Sequence, residues 1–393
     1  MCGLPSAGTP LMQGVFMRWP AQVLFGRGQL RQLGEHARRF DVRRALIVTD
    51  AGVRRAGIVD TVGAVLRRAD IVHEIFDGVH PDPPIEDVIA ATRVAREGGF
   101  DTVIGLGGGS AMDTAKAVSA LAPAGRTLDA LYGQDRVPGP GLVKILIPTT
   151  GGSGSEISDS CNFSDHSSGH VKRLLLSRHL LADLALVDPS LTDHAPASVT
   201  AESGIDAVTH ALEAFTCRNA SDFADVWSRK ALTLAAKSLS AAVAQGAEAP
   251  QARDDMALAA MLANAAADMA GLGAVHGLTH GLTARFPISH GRSNAILLPA
   301  VMTYNLTTRP ERFAEIAAIF APDEGQGAAA AAASIARLCA TIGLAGRLRD
   351  FGIAQQDFPE IAAGALSHFP RHFGANPRQV TAEDAAGIYL SVW

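Results

Sequence analysis

Asp206 and His210 stand four residues apart in GIDAVTHALEAF, and His276, His280 and His290 follow in GAVHGLTHGLTARFPISHG. If the first segment is helical, the pair leaves from one face about one turn apart. Asp206, His210, His276 and His290 supply one carboxylate and three imidazoles, with His280 as a fifth candidate. Such a set can hold a divalent transition metal and leave a coordination position open. An open position on a Lewis acid is where a carbonyl or alkoxide oxygen binds. A lone Asp–His pair is more often a surface hydrogen bond. Here, however, residues 256–284 contain a single Asp, Glu, Lys or Arg, Asp268. Histidines buried in so apolar a stretch are costly unless they are bonded.

A second chemistry is written in glycine. Gly107, Gly108, Gly109 and Ser110 follow the β-branched run DTVIGL and precede the helical stretch AMDTAKAVSALA. Glycines at a strand end let backbone amides approach a ligand, and a helix N-terminus favours an anion such as a pyrophosphate. The spacing is not GxGxxG, so the ordinary dinucleotide fingerprint is absent. Another small polar loop, TTGGSGSE from Thr149 to Glu156, follows the run ILIP. A loop straight after a core strand is more often a binding loop than a linker. Asp50 closes the run ALIVT. It can accept the adenosine-ribose hydroxyls and repel a 2′-phosphate, or it can cap the following helix.

The elements that position these residues divide in two. Apolar runs at 44–49, 71–76, 101–106, 143–149 and 184–188 alternate with helical patterns at 53–68, 85–97 and 111–121. Strands alternating with helices imply an α/β unit with a mostly parallel sheet. Beyond Ser198 the chain turns to alanine- and leucine-rich helical spacing at 201–217, 223–244, 254–272 and 328–342. The expectation is a disordered extension over 1–16, an α/β dinucleotide-binding domain over 17–195 and an all-helical metal-binding domain over 196–393. Met12 and Met17 are alternative starts.

The 393 residues are 48% hydrophobic and 19% charged, with a net charge of −5. Large cores are affordable and global disorder is excluded. The acidic balance argues against nucleic acid as a partner. No apolar run reaches the ~18–20 residues that cross a bilayer, so no membrane partner is expected. Cys2, Cys161, Cys217 and Cys339 lack CxxC spacing and read as free thiols of a cytoplasmic protein. A homodimer or larger homo-oligomer is the base-rate expectation.

Taken together, GGGSAMDTAK (107–116), IPTTGGSGSE (147–156), SGIDAVTHALEAF (203–215), HG-x2-H-x9-HG (276–291), NAILLPAVMTYN (294–305) and GANPR (374–378) resemble the iron-containing, or group III, alcohol dehydrogenase family. The resemblance runs over residues 17–393 and implies the family fold shared with dehydroquinate synthase. It implies Asp206, His210, His276 and His290 as ligands of Fe²⁺, with Zn²⁺ also compatible, and His280 beside the nicotinamide as a proton relay. Asp50 would bind the ribose and favour NAD over NADP. Gly107, Gly108, Gly109, Ser110 and Asp113 would line the pyrophosphate, with Thr149, Thr150, Ser153 and Lys172 along the cofactor. The implied reaction is hydride transfer between NAD(P) and a small primary alcohol or aldehyde.

Two alternatives share the scaffold: a lyase or cyclase of the dehydroquinate synthase type, and a metal-free maleylacetate reductase. The first should place several lysines and arginines around the metal, and the complete ligand set argues against the second. The chain departs from the family in the polar ISDSCNFSD after Glu156 and in Arg285, where many members carry an aromatic residue. Ser158, Ser160 and Arg285 are therefore candidates at the substrate; Arg285 either pairs with Asp159 or another carboxylate or points out of the cleft, or it turns inward to grip an acidic group on a short alcohol or aldehyde.

Overall fold

The computed structural model describes residues 14–167, 171–322 and 327–393. Residues 1–13 of the expected extension lie outside the described residues, and residues 14–20 form no helix or strand. The first half runs β1 (Gln22–Phe25), α1 (Leu33–Arg39), β2 (Arg44–Val48), α2 (Ala51–Arg55), α3 (Ile58–Arg68), β3 (Val72–Phe76), α4 (Ile85–Gly98), β4 (Thr102–Gly107) and α5 (Gly109–Leu121). It continues through α6 (Leu128–Leu131), β5 (Gly133–Gln134), β6 (Val143–Pro148), β7 (Ser160–Asp165), β8 (Val171–Leu176) and β9 (Leu184–Val187). One helix was expected over 53–68. Two form, because Gly57 adopts the left-handed conformation at φ 74° and restarts the helix.

Six strands make one parallel sheet in the order β1-β9-β6-β4-β2-β3. β4 is buried along its whole length, as a central parallel strand covered on both faces must be. The chain leaves β2 for β3 on one side and returns through β4 on the other, so the sheet switches direction between β2 and β4. Ligands of open α/β sheets bind outside the carboxyl ends of the strands at such a switch. Asp50 and Gly107 are the residues found there. A three-stranded sheet in the order β5-β8-β7 was not anticipated. Phe163 of β7 and Leu175 of β8 pack with Ala117 and Leu121 of α5.

From Ala197 onward every described element is helical: α7 (Ala197–Thr216), α8 (Asp222–Gln245), α9 (Pro250–Ala270), α10 (Ala274–Thr283), α11 (His290–Asn305), α12 (Pro310–Phe320), α13 (Ala328–Thr341), α14 (Phe358–His368), α15 (Pro370–Ala375) and α16 (Ala382–Ser391), joined by short 3-10 turns. Ile205, Val208 and Leu212 of α7 enter the same core as Leu232 and Leu239 of α8, Leu278 of α10 and Leu297 of α11. Each such side chain, fully buried, contributes about 1.5–3 kcal/mol. No single helix among the described residues is long and apolar enough to cross a bilayer.

Candidate active site

Three helices bring the metal candidates together. α7 carries Asp206 and His210, α10 carries His276 and His280, and His290 opens α11. Asp206 Oδ1 stands 3.3 Å from His290 Nε2 and 3.5 Å from His276 Nε2. One ligand atom from each of these three residues lies within 4.8 Å of the others. His210 Nδ1 is 3.9 Å from Asp206 Oδ2, and its ring stacks on His276 with centroids 4.6 Å apart. His210 Nδ1, His276 Nε2 and His280 Nδ1 are buried without a hydrogen-bond partner. Unsatisfied imidazole nitrogens converging on a buried carboxylate are the donor set of a divalent transition metal, and the residues present fit such an ion.

Neighbours fix the set. His276 Nδ1 lies 2.7 Å from Glu213 Oε2, while Glu213 Oε1 accepts from the Val275 amide at 2.6 Å. That leaves Nε2 as the nitrogen turned toward Asp206. Asn294 Nδ2 donates to Asp206 Oδ1 at 2.8 Å and its Oδ1 accepts from Thr279. Asn376 Oδ1 accepts from the Ala274 amide and from Asn305 Nδ2, tying the start of α10 to the end of α11. Glu213 follows Asp206 by seven residues and His210 by three, on the same helical face. Asn294 follows His290 by four. Those spacings are visible in the sequence, but four ligands are already supplied without either residue.

Charge in the site is arranged for a cation. Burial would raise the Asp206 carboxyl, but His210, His290 and His276 hold it well below the usual carboxylate range. Burial would lower His276, yet Asp206 and Glu213 push it up to about 9. Burial lowers His210 to about 4. Burial, aided by His290 and His372, lowers His280 far below the ordinary imidazole value, so His280 is neutral at neutral pH. Its ring lies 4.9 Å from Phe369 and 5.5 Å from His372. His372, which burial lowers to about 3, was not anticipated. It sits in the α14–α15 corner, whose approach to α10 no local spacing reveals.

The glycine loops meet at the sheet's switch point. Asp50 Oδ1 caps α2, accepting from the Gly52 and Val53 amides at 2.7 and 3.0 Å. A Cβ on Gly107 would lie 3.4 Å from the other oxygen, Oδ2. Both readings of Asp50 therefore stay open on one carboxylate. Gly109, Ser110, Thr150 and Ser153 line one cleft of about 1440 Å³ with Asp206, His210, His276, His280 and His290. A Cβ on Gly108 would contact Thr150, and one on Gly109 would come within 3.1 Å of Ser153 Oγ, so bare backbone lets the two loops abut. Thr149 is buried behind them.

Several expected contacts are already taken within the chain. Asp113 accepts from Ser155 Oγ at 2.5 Å and from the Asn162 amide at 2.9 Å. Lys172 reaches Asp82 and, at 2.8 Å, Ser164 Oγ. Ser158 and Ser160 line the cleft, but Ser158 Oγ and the Ser160 carbonyl accept from Lys116 Nζ at 2.8 and 2.9 Å. Lys116 is fully buried and was not singled out in the sequence. Arg285 is a correction. It does not line the cleft; its Nη1 donates to Glu360 Oε1 of α14 at 2.8 Å on the surface. It follows the end of α10, and its partner comes from a helix 75 residues away.

Two family models match the chain: iron-containing alcohol dehydrogenase over residues 20–189, and Fe-containing alcohol dehydrogenase family, C-terminal, over 200–393. The sequence is 38% identical to long-chain-alcohol dehydrogenase 1 of Geobacillus thermodenitrificans, over 93% of each chain. It is 35% identical to 1,3-propanediol dehydrogenase of Klebsiella pneumoniae, over 94% of this chain and 96% of that one. The structure superposes on the crystal structure of a 1,3-propanediol oxidoreductase with a TM-score of 0.92 at 34% identity, covering 97% of this chain and 100% of the other. It superposes on an alcohol dehydrogenase from Oenococcus oeni with a TM-score of 0.91 at 31% identity, again covering 97% and 100%.

Proposed function

Since the chain belongs to the iron-containing alcohol dehydrogenase family, we propose that it transfers hydride between NAD(H) and a small primary alcohol or aldehyde at a divalent metal held by Asp206, His210, His276 and His290. The observation that carries this is the approach of His276 Nε2 and His290 Nε2 to one oxygen of Asp206, with Glu213 holding the far nitrogen of His276. A bound divalent ion supplies Lewis-acid polarisation of the substrate oxygen, which lowers the hydroxyl pKa without a strong protein base. NAD supplies the hydride acceptor.

The chain's own residues do the rest. The amides around Gly108–Ser110, at the start of α5, favour the pyrophosphate. Thr150 and Ser153 lie along the cofactor. His280, with Nδ1 unpartnered, relays the proton toward solvent by way of the cofactor ribose hydroxyls. The Phe369 ring against His280 keeps that side dry.

In this reading residues 17–195 form the dinucleotide domain and 196–393 the metal domain. NAD is preferred because the free oxygen of Asp50 would face a 2′-phosphate. Fe²⁺ is the working ion, with Zn²⁺ the competitor that such ligands bind tightly. The buried free thiols Cys161, Cys217 and Cys339 suit a reducing cytoplasm, and a homo-oligomer is the expected assembly. The test is to load the purified protein with Fe²⁺ or Zn²⁺, supply NADH and a panel of short aldehydes, and follow nicotinamide absorbance with and without a chelator. Metal-dependent oxidation of NADH supports the reading, and turnover indifferent to chelation sinks it.

A further inference from the structure

The cleft that holds the metal candidates is also lined by Asp268, an acid that the proposed reaction does not use. Asp268 lies near the C-terminal end of α9. Gly271, at φ 96°, begins the turn into α10, so the two helices meet at 104°. Asp268 and the α10 histidines line the same cleft. Among the described residues, the Asp268 carboxyl has no hydrogen-bond or ion-pair partner. Every charged neighbour that acts on it is engaged or open to solvent. Asp159 is paired with Arg18 at 2.8 Å, Lys116 is held by three oxygens, and Arg371 is exposed. Asp268 is half-buried in the cleft with no partner among the described residues, so its oxygens are open to a hydrogen bond from a ligand.

We propose that Asp268 is a specificity-determining residue that receives the second hydroxyl of a short diol or hydroxyaldehyde and turns away substrates carrying a carboxylate. This rests on the dehydrogenase reading above and reverses the acidic-substrate expectation attached to Arg285. A hydroxyl is favoured over a carboxylate because Asp268 and Asp159 already place two acids at this wall. It is favoured over an ammonium because Arg371 and Lys116 already place positive charge nearby. Burial, with Asp159, raises the Asp268 carboxyl to about 7, so at neutral pH it can both donate to and accept from a neutral hydroxyl.

The test compares isosteric substrates with metal-loaded enzyme and NAD: 1,3-propanediol, 1-butanol, 3-amino-1-propanol and 3-hydroxypropionate. The expected order places the diol about tenfold or more above 1-butanol in kcat/KM, with the hydroxy acid weakest. In Asp268→Leu the diol-to-butanol ratio should collapse toward one, mainly through the KM of the diol, while Asp268→Asn keeps most of it. Metal content and NADH titration of each variant report that it is folded. A diol-to-butanol ratio near one in the wild type, or a ratio that Asp268→Leu leaves unmoved, overturns the proposal. So does a preference for the amino alcohol or the hydroxy acid. Turnover of none of the four, with metal and NADH bound, overturns the dehydrogenase reading instead.

Discussion

An imidazole that binds a metal through one nitrogen needs the other nitrogen held, or the ring swings away from the ion. Glu213 does this for His276 with one carboxylate oxygen and fixes the start of α10 with the other. His276→Ala is expected to lose the bound metal and to lower kcat by at least about 10²-fold, given how much of the barrier a Lewis acid carries. Elemental analysis showing full occupancy would sink the assignment. Glu213→Gln should keep the fold but weaken metal affinity by about 10–100-fold, read by competition with a chelating indicator. An unchanged affinity would make Glu213 a packing residue. For Asp50, kcat/KM with NAD against NADP separates its two roles. Asp50→Gly should relax a preference for NAD if Oδ2 meets the ribose, and leave it unchanged if the residue only caps α2. What the sequence made legible at this scale was local. Asp206 and His210 declare themselves because four residues on a helix is one face. Arg285 left two readings open, an ion pair or a grip on substrate, because its partner, Glu360, lies 75 residues away in the chain.

Among the elements, the loop from Thr149 to Glu156 shows why glycine was written where it stands. A Cβ on Gly152 would come within 2.5 Å of Ser203, and one on Gly154 within 2.3 Å of Asn264. The loop is wedged against α7 and α9, and Asn264 Nδ2 donates to the Ser153 carbonyl at 2.6 Å. Gly154 also has φ 63°. Gly154→Ala should therefore cost about 2 kcal/mol or more in urea unfolding and raise the KM for NAD. A neutral substitution would mean that the loop is free to shift. At its end Glu156 is buried, and burial pushes its carboxyl from 4.5 up to about 7. The folded state then holds this proton at pH values where the unfolded chain has released it. The contribution is full below about pH 4.5 and is lost as pH rises through about 7, amounting to at most about 3 kcal/mol. Thermal melts of wild type and Glu156→Gln should diverge between those limits, with the variant less sensitive to rising pH; parallel curves would contradict the burial argument. The sheet-forming runs 44–49, 101–106 and 143–149 were readable because their β-branched residues are buried on both faces. β7 was not, since SCNFSD is polar and its pairing with β8 is decided by the packing of Phe163 on α5.

For the whole molecule, the site exists only because the sheet's switch point and the three ligand-bearing helices face one cleft. Arg27, just after β1, holds that arrangement by donating to Asp193 at 2.7 Å and to Asp254 at 2.6 Å. These pairs are partly exposed, so their worth is positional more than energetic. Trp19 meets Trp227 of α8 with ring centroids 5.7 Å apart, a second link between the sheet half and the helices. The two chemistries nevertheless have separate supports. The proposed pyrophosphate cradle stands on β4 and α5, whereas the metal candidates stand on α7, α10 and α11 and on Glu213, Asn294 and Asn376 behind them. Removing the ion should therefore act on one half. Chelation leaves His276, His210 and Asp206 buried without the cation their fields favour, and it withdraws a ligand that binds only the folded state. At a metal concentration about 100 times Kd that linkage is worth about 2.7 kcal/mol. Calorimetry is expected to show a lower melting temperature for the chelated protein, restored by Fe²⁺ or Zn²⁺. NADH titrated into the same chelated sample should still bind, because the loops of Gly107–Ser110 and Thr149–Ser153 need no metal to keep their backbone. If chelation abolishes NADH binding as well, the two sites are one cooperative unit and the division near residue 195 has no energetic meaning.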